Sequence, residues 1–273
     1  MSSRNNDALP LLQEIERYRI TSLHSNACYK IPSHGTFVFL KVYCPKRPAA
    51  TYAMRRFLGF VGFRQPVEYT SPGERRAFEE KALKHWKAHG FTVPDIVDNP
   101  LKELGGIPVL ATRFIEGITL REMARSSSRS VEDRSGELRA LFTEVAARHG
   151  SAFAAADPLL FHIDANTRNI LFAGSAVYHV DFEMGRPWEP PALSASREVL
   201  KLLVTLAEDL DPESRAPVMR IFRDCYHHDE VFQCIRTGVV GRPFQSFHRF
   251  SNERKKKRNS GKVTLYDLME YLW

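Results

Sequence analysis

Between His162 and Glu183 the sequence reads HIDANTRNILFAGSAVYHVDFE, and this pattern admits few folds. Two short β-prone runs, Ile170-Leu171-Phe172 and Val177-Tyr178-His179-Val180, flank the turn residues Gly174 and Ser175. That is the layout of a β-hairpin. Polar residues crowd just outside both strands. On one side stand His162, Asp164 and Asn169, with Asn169 five residues after Asp164. On the other stand Asp181 and Glu183, with Asp181 placed 17 residues after Asp164. A hairpin brings its two ends together, so this spacing is expected to turn both aspartates toward one place.

Two acids and an amide in that order suit phosphoryl transfer. The reaction needs a carboxylate that accepts or orients a hydroxyl, and oxygen ligands that hold magnesium against the β- and γ-phosphates of ATP. Asp164, at the loop tip, is the candidate catalytic base. Asn169 and Asp181 are the candidate Mg2+ ligands. The H-x-D-x-x-x-x-N string alone is a weak signal. The hairpin and the Asp-Phe pair at its end make it stronger. His162 reads as a brace for the loop through hydrogen bonds rather than as an acid–base group.

ATP also requires a cation on its α- and β-phosphates. Lys41 sits in the run Phe39-Leu40-Lys41-Val42-Tyr43. On an alternating strand such a lysine ordinarily faces solvent. The functional reading turns it inward, against a helix glutamate. Glu79 is the candidate partner and Glu80 its competitor, because helix neighbours point about 100° apart and only one can face Lys41. Lys41, Glu79, Asp164, Asn169 and Asp181 occur in the order this chemistry requires.

Strands are expected within 14–43, around a turn at Pro32–Gly35, then around Asp95–Val97 and over Ile107–Phe114. A helix is expected over 73–89, stopped by Gly90. Further helices are expected at 119–126, 132–156, 194–208, 212–226 and 264–272. The segment from Pro45 to Gly73, rich in arginine and aromatics, reads as an insertion holding an amphipathic helix and a loop. A β-rich part followed by a helical part is an α+β outline, two-lobed, with the parts at 1–113 and 114–273. A chain of 273 residues is long enough for both.

Four scattered cysteines without a CxxC pair argue against a zinc site or a disulfide framework, and a reducing cytosol is the simplest compartment. The N-terminus lacks the layout of a secretion signal, and no apolar run reaches the length of a membrane span. The net charge of +7 suits an anionic partner. Arg254-Lys255-Lys256-Lys257-Arg258 stays open to three readings: a solvated loop, a contact with an anionic membrane surface, or a phosphate-binding patch on nucleic acid, the least favoured.

The strings FVFLKVY, RRAFEEKALKHWKAHGFTVPDIVD, ATRFIEGITLREM, HIDANTRNILF and VYHVDFE span about residues 37–183. Their order resembles the atypical kinase superfamily that includes aminoglycoside phosphotransferases and lipopolysaccharide kinases. The closer likeness is to the kinases of the lipopolysaccharide inner core, which phosphorylate Kdo or heptose. The resemblance implies a protein-kinase-like fold with a β-rich N-lobe and a helical C-lobe, and ATP and Mg2+ as cofactors. It implies a sugar or glycolipid acceptor and a place in the cytoplasm, at the inner face of the inner membrane. Lys41 would bind ATP phosphates, Asp164 would act as base, Asn169 and Asp181 would hold magnesium, and the backbone of Arg113, Phe114 and Ile115 would meet adenine. Three departures stand out. SNACYK, where the nucleotide-covering loop belongs, has no glycine; Asn166 and Glu183 stand where protein kinases commonly have lysine and glycine; and no Ala-Pro-Glu segment follows Asp181. An atypical protein serine/threonine kinase and a pseudokinase scaffold are the alternatives.

Overall fold

Strict alternation builds the first sheet. In the computed structural model β1 (Arg19–Leu23), β2 (Asn26–Ser33), β3 (Thr36–Tyr43) and β4 (Val109–Arg113) run antiparallel in the order β1-β2-β3-β4. The residues described are 14–23, 26–33, 35–44, 71–101, 106–126, 130–185, 189–240 and 263–273. Ala27, Tyr29 and Ile31 of β2 stand opposite Val42, Leu40 and Val38 of β3, and all six are buried in one apolar cluster with Ile15 and Ala111. Cross-strand apolar pairs of this kind fix the register, since a slip of one residue would turn them outward. Gly35 closes the β2–β3 turn at φ +77°, a conformation open to glycine. The same alternation sends Cys28 and Lys41, which face each other across the ladder, to the opposite side of the sheet.

Helix α1 (Pro72–Ala88) starts with Ser71 as N-cap, a capping box to Glu74 and a proline in the first turn. Arg75, Glu79, Ala82, Leu83 and Trp86 recur at helical spacing and form its buried face. Trp86 is fully buried and packs edge-on against Phe182, with ring centroids 4.6 Å apart.

Three local expectations change. Residues 16–18 form a 3-10 turn instead of strand, because Ile15 is drawn into the sheet's apolar cluster and the chain turns before Arg19. The strand around Asp95–Val97 reduces to one bridge, Ile96 to Thr112, while the backbone on either side bonds singly to β4. A helix absent from the sequence reading covers Asp229–Val240. The insertion after Pro45 lies, up to Thr70, outside the described residues, as do His24, Ser25 and Arg254–Arg258.

A second, smaller sheet follows: β5 (Ile118–Thr119), β6 (Ile170–Ala173) and β7 (Ala176–His179), antiparallel in that order. The β6–β7 pair is the hairpin expected from the sequence, turning at Gly174 with φ +60°. Around it are α2 (Leu120–Arg125), α3 (Val131–Ala155), α4 (Pro191–Asp209), α5 (Pro212–Cys225), α6 (Asp229–Val240) and α7 (Leu265–Leu272). Thr119 and Ser130 begin α2 and α3 with capping boxes. Phe142 of α3 and Phe222 of α5 meet edge-on at 5.2 Å in the helical core. The chain forms two compact units: Met1–Glu116 with Asp181–Pro187, and Gly117–Val180 with Trp188–Trp273. The first is an antiparallel sheet with a helix, the second is mainly helical, and the class is α+β.

Gly117 enters β5 against backbone. A methyl group there would lie 2.3 Å from the carbonyl oxygen of Phe172, which the β5–β6 pairing holds in place. We expect Gly117→Ala to destabilise by about 1–3 kcal/mol through overpacking. A thermal melt followed by circular dichroism should drop by several degrees, and an unchanged melt would remove this account.

Candidate active site

Lys41 is 5% exposed despite its charge. Its Nζ lies 2.7 Å from Glu79 Oε2, 2.5 Å from Asp181 Oδ1 and 3.5 Å from Glu183 Oε2. The Tyr43 hydroxyl donates to the same Glu79 oxygen at 2.6 Å. Glu80 is engaged elsewhere, by Arg76 at 2.7 Å and Lys84 at 2.6 Å, so the glutamate that meets Lys41 is Glu79. Burial alone would lower the Lys41 pKa. Asp181 and Glu79 outweigh it and hold the ammonium well above its usual value. For Glu79 burial wins over the attraction of Lys41, and its pKa rises.

Glu183 completes this cluster. It accepts from Asn26 Nδ2 at 2.5 Å and from Arg75 Nη1 at 3.1 Å. Arg75 also donates to Asn26 Oδ1 at 3.1 Å and to the Cys44 carbonyl at 2.5 Å. Glu183 thus ties the segment after Asp181 to β2 and α1. Asp181 itself has φ +67°, in the left-handed region. For a residue with a side chain this costs about 1–2 kcal/mol.

Asp164 and Asn169 belong to the second unit and are bonded to each other. Asn169 Nδ2 donates to the Asp164 carbonyl at 3.0 Å and to Asp164 Oδ2 at 3.3 Å. The amide oxygen of Asn169 is therefore turned the other way. Asn166 stiffens the loop: its Nδ2 donates to the Asp164 carbonyl at 3.0 Å, and its Oδ1 accepts from Arg168 N at 2.9 Å. The other carboxylate oxygen of Asp164, Oδ1, accepts from Lys201 of α4. The sequence reading did not single out Lys201. Its signal is a polar stripe, Arg197, Lys201 and Thr205, at helical spacing in the apolar run of α4.

His162 holds the loop from below. Its Nε2 is 2.9 Å from the Val180 carbonyl, and its backbone N–H donates to Glu198 Oε2 at 2.8 Å. Glu198 is fully enclosed, with Arg148 Nη2 at 2.5 Å on one oxygen and His149 Nε2 at 3.1 Å on the other. Burial would raise its pKa, but Arg148 and His149 hold it well below the usual carboxylate range. Sequence spacing gave no sign of this support, because its members lie up to 50 residues apart.

Arg113 ends β4, and Phe114 and Ile115 follow it. The Arg113 N–H donates to Asp95 O at 2.8 Å and the Phe114 N–H to Phe37 O at 3.0 Å. These two donors are committed to the fold.

The structure thus joins Lys41, Glu79 and Asp181 directly in the first unit, and Asp164 and Asn169 directly in the second. Magnesium takes hard oxygen ligands. Asn169, with its amide nitrogen turned onto Asp164, and the carboxylate of Asp181 both supply oxygen, so their chemistry fits that ion. Glu79, Asp181 and Glu183 also place one oxygen each within 4.8 Å of one another, about Lys41.

The sequence matches no protein-family model and no curated protein. Among solved structures it is similar to WaaP in complex with acyl carrier protein, at 10% identity and a TM-score of 0.46, over 80% of this chain and 83% of that one.

The loop's support has a pH signature. Burial first, and His179 second, lower the His162 pKa from 6.5 to about 4. The unfolded chain takes up this proton near pH 6.5, while the folded chain resists it until about 4. Stability therefore falls as pH drops through that window, by on the order of 3 kcal/mol from this group. Urea unfolding at pH 7, 5.5 and 4.5 should show the loss, and His162→Gln should flatten it. A curve unchanged by the substitution would point to other groups.

Proposed function

We propose that the protein transfers the terminal phosphoryl group of ATP to a hydroxyl acceptor. The observation that carries this reading is the burial of Lys41 between Glu79 and Asp181. A strand lysine has no folding reason to be enclosed, and a cation fixed by a helix glutamate beside an aspartate is what ATP phosphates require. Residues 1–113 would carry the nucleotide and residues 114–273 the catalytic loop. Lys41 binds the α- and β-phosphates, with Glu79 and Tyr43 setting its position. The Ile115 N–H, with the carbonyls of Arg113 and Phe114, meets adenine. Asp164, gripped at both carboxylate oxygens, orients the acceptor hydroxyl and takes its proton. Asn169 and Asp181 would hold Mg2+, which supplies neutralising charge on the phosphates.

For the acceptor we propose a sugar of the lipopolysaccharide inner core, Kdo or heptose. The support is the sequence likeness over residues 37–183 and a net charge of +7, which favours an anionic glycolipid. Such an acceptor places the enzyme in the cytoplasm, at the inner face of the inner membrane. No described helix is long and apolar enough to cross a membrane, so contact would be peripheral, with Arg254–Arg258 as the candidate patch.

One observation favours a second reading, a binding module without turnover. The Lys41 ammonium already has three carboxylate neighbours, so phosphates must compete with them. Turnover decides. The wild-type chain should release ADP from ATP only with magnesium, and Asp164→Ala should slow this at least about 100-fold with little change in melting temperature. Full activity in that variant would sink the assignment. No turnover and no thermal shift with Mg–ATP in the wild type would favour the scaffold. Labelled ATP offered with purified lipopolysaccharide or with protein extract tests the acceptor, and label in protein alone would favour a protein kinase.

A further inference from the structure

We infer that Lys201 is a catalytic residue: its ammonium contacts the phosphoryl group in transit, supplying from α4 the positive charge that Asn166 cannot supply from the loop. The inference rests on the phosphotransfer reading above.

The pair between Lys201 and Asp164 is not explained by folding. In the enclosed pair of this unit, Arg148 with Glu198, the side chains are 0% and 1% exposed. The side chains of Lys201 and Asp164 are 33% and 23% exposed. Water reaches both ends, and an ion pair so placed contributes little to stability. Its neighbours Leu202 and Leu203 are buried, so the helix carries this lysine out to the loop tip on its polar side. Arg197, one turn earlier, faces Glu189 at 3.4 Å.

Orientation supports the assignment. Lys201 occupies Oδ1 of Asp164 while Asn169 holds Oδ2 and the backbone carbonyl. An ammonium has three N–H donors, and one lies on Asp164. In this proposal one of the other two meets an oxygen of the phosphoryl group in transit. Asn166, two residues after Asp164, has both ends of its amide in the loop backbone, and Arg168 is exposed.

In the transfer step the acceptor oxygen forms its bond to the γ-phosphorus as the bond from that phosphorus to the bridging oxygen breaks. The bridging electron pair leaves on ADP, and the hydroxyl proton passes to Asp164. Negative charge spreads over the three non-bridging γ-oxygens meanwhile. Lys201 donates to one of them and stays protonated throughout. Because the contact strengthens only as charge develops, its loss should appear in kcat rather than KM.

The test uses the full chain with ATP and magnesium, measuring ADP release with and without lipopolysaccharide core. Lys201→Met should lower kcat about 100-fold, in the range seen when one donor to a developing anion is removed, with the KM for ATP changed less than about threefold. Lys201→Arg should recover most of the loss. Binding of ADP with aluminium fluoride, a mimic of the transferring group, should weaken in Lys201→Met while ADP alone binds as before. An active wild type with an equally active Lys201→Met overturns the inference and leaves the phosphotransfer reading standing, as does a change confined to KM. If Lys201→Met does not fold, Lys201→Gln and the aluminium fluoride measurement decide in the same terms. A wild type that never turns over ATP overturns both.

Discussion

Lys41 carries a full positive charge in a place that water barely reaches, and such a charge is tolerable only if opposite charge is held against it. That constraint organises the first unit. Glu79 has to stay on the inner face of α1, which fixes the rotation of the helix. Asp181 and Glu183 have to return to the sheet, which fixes the segment after β7. Arg75 and Asn26 then answer the surplus negative charge. Removing one partner from a buried set of this kind typically costs about 3–5 kcal/mol, because the others lose their compensation. The cluster is both a functional candidate and a clamp.

The second unit solves the same problem with the sign reversed. There a buried carboxylate, Glu198, is satisfied by Arg148, His149 and the His162 peptide. Its position is set by an apolar helix core that has nothing to do with phosphate chemistry. The loop bearing Asp164 is thereby anchored to α3 and α4, the longest helices among the described residues. A loop rigid at its base can keep its tip polar and partly exposed.

Much of this was legible in the chain. The hairpin and the five-residue spacing from Asp164 to Asn169 are local, and local geometry follows from strand periodicity and turn residues. Glu79 was a candidate beside Glu80, and the helix period left one of the two for Lys41. What stayed hidden was long-range. Arg75 meets Glu183 across 108 positions and Lys201 meets Asp164 across 37, and no periodicity relates such pairs. The 3-10 turn at 16–18 and the helix at 229–240 were missed for a related reason: tertiary packing outweighs weak local preference.

Asp181 sits where two demands of different kinds meet. Its backbone, at φ +67°, suits glycine and asparagine better than most residues, while its side chain has to be an anion of short reach beside Lys41. Asparagine would satisfy the first demand and drop the charge. Glutamate would keep the charge, lengthen it by a methylene and strain the turn. Glycine would relax the turn and leave Lys41 short of a partner. Aspartate meets both demands at once, and each of these three replacements gives up one of them.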